Sequence, residues 1–93
     1  MIVGTVEIRL SLREAQTLKD KRSIVSGLKD RLRKKFNVSV AEVGNQDVVQ
    51  SATLAVAQVS NDSRYLNGSL DKVVEMVKRC PAARLVDYTI EIL

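Results

Sequence analysis

The chain has 93 residues, with 15 lysines and arginines against 11 aspartates and glutamates, one cysteine, no histidine and no tryptophan. That length suits one domain with a single thin core. Histidine-centred bases, Ser-His-Asp triads and histidine metal ligands are excluded, as are an internal disulfide and a thiolate cage, and a lone cysteine suits a reducing cytoplasm.

Residues 2–12 alternate. Ile2, Val6, Ile8, Leu10 and Leu12 share one side, and Thr5, Glu7, Arg9 and Ser11 the other, the period of a half-buried strand. Thr17-Leu18-Lys19-Asp20 has the spacing of a capping box. Leu18, Val25, Leu28, Leu32 and Phe36 then form one helical stripe, which predicts a helix over about 18–35 that Asn37 turns off. Gly27 inside that helix is expected to permit close packing. Val38 and Val40 begin a second strand ending near Gly44, a polar turn follows at Gly44-Asn45-Gln46-Asp47, and a third strand covers about 51–59, making a hairpin. Ser60-Asn61-Asp62 offers caps for a second helix over about 63–79, with Leu66, Leu70, Val73, Val74 and Val77 on its apolar side and Cys80-Pro81 as its stop. The last strand, about 84–92, is expected to point Val86, Tyr88, Ile90 and Ile92 inward and Leu85, Asp87, Thr89 and Glu91 outward. The order βαββαβ predicts an α+β fold, the ferredoxin-like sandwich, with a four-stranded antiparallel sheet and both helices on one face. Only four glycines and one proline occur, so residues 1–93 read as one domain. No targeting leader is expected at Met1-Ile2-Val3-Gly4, and no apolar run approaches the ~20 residues of a membrane span.

Several stretches carry a family resemblance. They include Thr17-Leu18-Lys19-Asp20-Lys21-Arg22, Phe36-Asn37-Val38-Ser39-Val40-Ala41-Glu42-Val43, Gln46-Asp47, Val59-Ser60-Asn61-Asp62 and Leu70-Asp71-Lys72-Val73-Val74. Together they resemble the YlxP-like family, small bacterial proteins of unknown function, over essentially the whole chain. The resemblance implies a ferredoxin-like fold. Members are often encoded beside translation initiation and ribosome-maturation factors, which implies association with RNA or a ribosomal complex. Where the family is expected to carry a charged residue before Gln46-Asp47, this chain has Gly44-Asn45.

Charge is unevenly placed. From Arg13 to Lys35 there are nine basic and three acidic residues, a net of +6, while the remainder has six basic and eight acidic, a net of −2. On a helical projection Arg22, Lys29 and Arg33 flank the apolar stripe, and Lys19 and Lys34 extend the row outward. Such a row suits a phosphate backbone, although a solvated helix face and cations near a helix C-terminus give the same pattern. The aromatic residues Phe36, Tyr65 and Tyr88 are all expected off the open sheet face, so base stacking on the sheet is not expected. Asn45, Gln46, Asp47 and Gln50 form the most polar loop, expected at the end where the first helix begins; it suits a ligand contact or simple turn chemistry. Asp47 and Glu14 are expected within reach of Arg13, Lys19 or Arg22.

No catalytic constellation emerges. Leu12-Arg13-Glu14-Ala15-Gln16-Thr17 lacks the glycines of an acylphosphatase-like phosphate loop, there is no cysteine pair for copper, and no nucleotide-binding glycine motif occurs. The expectation is a non-enzymatic cytoplasmic protein, with no cofactor, metal or membrane partner, that binds RNA or a ribosomal complex through its first helix. The alternative is a homodimeric protein-interaction or small-ligand regulatory domain without a nucleic-acid role, for which the small residues of the open sheet face and its exposed edges offer surfaces.

Overall fold

The structure, a computed structural model, describes residues 1–93. The alternating segments become strands β1 (Ile2–Ser11), β2 (Ser39–Glu42), β3 (Ser51–Ser60) and β4 (Arg84–Ile92), and the two amphipathic stretches become α1 (Leu18–Lys35) and α2 (Ser63–Lys78). The strands lie in the order β2-β3-β1-β4 with every neighbouring pair antiparallel. This is the ferredoxin-like sandwich expected from the element order. Both helices cover one face: α2 packs on β1, β3 and β4, and α1 lies over β2 and meets α2 only sparsely. Val6, Ile8 and Leu10 of β1 meet Leu54 and Val56 of β3, beneath Leu28 and Leu32 of α1 and Leu70 and Val73 of α2. At Gly4 the helix α2 lies close against the sheet, since a Cβ there would sit 2.9 Å from Leu70 Cδ1 and 3.4 Å from Leu66 Cβ.

The capping box forms as read: Thr17 Oγ1 accepts from Asp20 N–H at 3.1 Å, and Asp20 Oδ2 accepts from Thr17 N–H at 3.3 Å. Asp62 caps α2 by accepting from Arg64 and Tyr65 N–H.

Four local expectations are corrected. The first helix ends at Phe36, which is extended (φ −126°, ψ 147°) and turns its ring partly into the core, so Asn37 is not the stop. Gly27 faces open space, with no atom beyond its own chain neighbours and helix backbone within 4 Å of where its Cβ would be, so close packing does not explain it. The β2–β3 connection spans residues 43–50, longer than the polar turn expected at Gly44–Asp47 because β2 ends at Glu42, and bends through left-handed Gly44 (φ 61°) and Asn45 (φ 53°). Finally, β4 carries a bulge: Asp87 faces Arg9 but Leu85 faces Leu10, leaving Val86 as the extra residue. Leu85 therefore packs against the core and Val86 is 63% exposed, the reverse of the alternation reading. Tyr88 does lie on the helix side, yet at the sheet edge it stays 42% exposed, with Lys78 Nζ 6.0 Å from its ring centre.

Candidate functional site

The basic residues of α1 divide into two flanks, because about 100° per residue carries successive cations around the buried stripe. Arg22, Lys29 and Arg33 lie on the flank facing β2, and Lys19 and Lys34 point outward, as the projection predicts. Arg33 is engaged there: its Nη2 donates to Val40 O at 2.9 Å, and Nη1 lies 3.8 Å from Asp30. Lys19, Arg22, Lys29 and Lys34 have no carboxylate within ion-pair distance.

Arg31 and Lys35 occupy the opposite flank and face α2. There the loose contact between the helices leaves a groove of three adjoining depressions, which share Phe36 and Lys72 at one junction and Lys35, Met76 and Arg79 at the other. Its walls carry five cations: Arg31 and Lys35 from α1, and Arg64, Lys72 and Arg79 from the α2 side. Glu75 is the lone carboxylate along it and is held by Lys78 at 3.2 Å. None of the five cations has a carboxylate partner. Phe36 lines the floor and Tyr65, more than half exposed, closes one end. The sulfur of Cys80 accepts from Arg31 Nη2 at 3.4 Å and is buried at the other end.

The α2 half of this groove was missed by sequence reasoning. Its signal was Arg64, Gly68, Lys72 and Arg79, one face of a helix at spacings of four and seven. A net charge of −2 summed over all residues outside 13–35 concealed it, because seven of the eight acidic residues in that sum lie away from the groove. Glu7, Asp87 and Glu91 are on the open sheet face with Arg9, whose guanidinium bonds both Glu7 and Asp87. The Asp87 hydrogen bond holds the Arg9 pKa above its ordinary value.

The polar loop sits where expected, at the start of α1, but as a structural joint. Lys21 occupies the apolar stripe between Leu18 and Val25, is 1% exposed, and threads its ammonium into the loop. Nζ donates to Asn45 O and Val48 O, each at 2.6 Å, and to Gln46 O at 3.4 Å; Glu42 Oε2 lies 2.9 Å away without hydrogen-bond alignment. Gln50 Nε2 donates to Arg13 O and Ala15 O, and Gln46 Nε2 to Glu42 O. The side chains of Asn45 and Asp47 bond nothing, and the expected approach of Asp47 and Glu14 to Arg13, Lys19 or Arg22 gives no ion pair.

Comparison with known proteins settles the family. The model of a family described as "Protein of unknown function (DUF503)" matches residues 3–90. The uncharacterized protein YlxP of Bacillus subtilis (strain 168) is 30% identical over 80 residues, covering 86% of this chain and 87% of that one. The chain belongs to this YlxP-like family. Among solved structures, a de novo designed protein with a ferredoxin fold superposes with TM-score 0.56 at 14% identity, over all of this chain and 84% of the other. That likeness concerns the fold alone. An acylphosphatase from Bacillus subtilis aligns at TM-score 0.46 and 12% identity, over all of this chain and 86% of that one.

Proposed function

We propose that this family member is a non-enzymatic protein that binds RNA, free or in a ribosomal complex, through the phosphate backbone. The observation that carries the reading is the groove between α1 and α2, where five cations without acidic partners line one continuous depression. Lysine and arginine supply affinity by displacing condensed counterions, and this chemistry has no need of histidine, metal or nucleophile. Tyr65 and Phe36 add apolar surface at the groove against which an unpaired base can stack. Arg22 and Lys29, on the far flank of α1, extend the positive field toward β2.

A salt titration against a structured RNA tests it. Contacts to about four phosphates predict a log–log slope of roughly −3 to −4. The triple change Lys35→Glu, Lys72→Glu and Arg79→Glu should abolish binding, while Arg22→Glu with Lys29→Glu should weaken it partially. Binding that survives the groove triple with the same salt slope sinks the reading. The alternative of a homodimeric interaction module draws on a different surface, the uncovered edge of β4.

A further inference from the structure

The two edges of the sheet are finished differently. Val43 N–H donates to Thr53 O at 2.8 Å. Hydrogen-bonded and outward-facing residues alternate along an antiparallel pair, so Val40 and Glu42 turn their backbone groups out of the β2 edge. Both carbonyls are taken: Val40 O accepts from Arg33 at 2.9 Å and Glu42 O from Gln46 at 3.3 Å. With only four residues, β2 is a short and covered edge. On the other side Leu93 N–H donates to Val3 O at 2.7 Å, and Gly4 faces Ile92. The same alternation turns the N–H and C=O groups of Tyr88, Ile90 and Ile92 outward. None of the side-chain hydrogen bonds reaches them. The side chains of these three residues lie on the helix side of the sheet, where Tyr88 is 42% and Ile92 39% exposed, with Leu93 beyond them at 72%.

We infer that this edge pairs antiparallel with the same edge of a second copy, about a two-fold axis at Ile90. Self-complementarity restricts the axis. A two-fold between residues would set an outward-facing residue against an inward-facing one and forfeit the hydrogen bonds. An axis at Thr89 sets Asp87 opposite Glu91, like charges in direct register. An axis at Tyr88 sets the bulged Val86 opposite Ile90. An axis at Ile92 reduces the overlap to the last few residues. At Ile90, Tyr88 faces Ile92 of the second copy, Ile90 faces Ile90, and Thr89 faces Glu91. Three outward-facing pairs exchange about six hydrogen bonds. The apolar row of Tyr88, Ile90 and Ile92 continues across the junction on the helix side, and no two carboxylate side chains stand directly opposite. The product is an eight-stranded sheet with four helices on one face, so both basic grooves open on the same side of the dimer.

Sedimentation velocity from about 1 μM to about 1 mM protein tests the inference. The wild-type chain should pass from monomer to dimer over that range. Ile92→Pro removes an outward donor from each copy and leaves the β1 ladder alone, so the dissociation constant should rise about ten- to a hundredfold with an unchanged circular dichroism spectrum. Thr89→Lys places a lysine opposite Glu91 of the second copy, and opposite Glu7 within the chain, and should tighten the dimer about two- to tenfold. Monomer at the highest concentration overturns the inference. So does a dimer that Ile92→Pro leaves intact and Ala57→Glu dissolves, which would place the contact on the open sheet face. A Thr89→Lys chain that does not tighten refutes the Ile90 axis. RNA binding by the groove is independent of all three outcomes.

Discussion

Lys21 shows how one residue can belong to two patterns. In the sequence it is one of nine cations in a basic segment. In the fold it fills a core position, and its ammonium is surrounded by three loop carbonyls and the Glu42 carboxylate. An ammonium with three donors can satisfy such a cluster, which an uncharged side chain cannot. Lys21→Met should therefore lower stability by about 3 kcal/mol, because a largely buried carboxylate and several carbonyls lose their partner. Urea denaturation checks it, and adding Glu42→Gln should recover part of the loss; a single variant within 0.5 kcal/mol of wild type, roughly the level of a surface change, would show that the lysine is dispensable. Histidine counts and cysteine spacing are legible without a fold, but a lysine's burial is not, since its helical position alone identifies it only as a stripe member of the wrong type.

Among the elements, α1 was the most legible. Its cap and both boundaries follow from Thr17, Asp20 and the three-and-four spacing, which are interactions within one or two turns. Gly27 is the exception, a helical glycine on the wet face with no neighbour to accommodate. Gly27→Ala should raise stability by about 0.5–1 kcal/mol, read as a higher melting temperature, since alanine fits both the space and the helical backbone. An unchanged or lower melting temperature would count against an unconstrained position. The strand β4 was the least legible. Nothing in the repeat of Arg84–Ile92 announces a bulge, because it arises from register against β1 rather than from β4 itself.

At the scale of the whole molecule, charge is sorted by face. The helix layer presents the cations of both α1 flanks and of α2, while Glu7, Asp87 and Glu91 outnumber Arg9 on the open sheet face. The molecule is 18 Å across even along its shortest axis, more than a Debye length of about 8 Å at physiological salt, so exposed charges on opposite faces are largely screened from one another. Glu91→Gln changes the net charge by one unit and should alter RNA affinity by less than about twofold at that ionic strength. If binding instead tracked net charge regardless of face, this variant and a single groove reversal would shift the salt titration by amounts in proportion to their charge change.

By itself the sequence determined the element order, the α+β sandwich and the absence of histidine or paired-cysteine chemistry. Those follow from composition and from contacts between residues two to four positions apart, which alternation and helical spacing express directly. Tertiary structure decided the rest. Arg31 and Lys35 meet Lys72 and Arg79 only because two helices some forty residues apart in sequence settle side by side on one sheet, roughly a helix diameter apart. Lys21 finds Glu42 and the 45–48 carbonyls because β2 ends beside the first turns of α1. The closed edge at β2 and the bare one at β4 likewise depend on strand order and on which backbone groups alternation turns outward. Net charge was a sum over the chain, whereas a binding surface is set by which of those charges the fold brings to the same face.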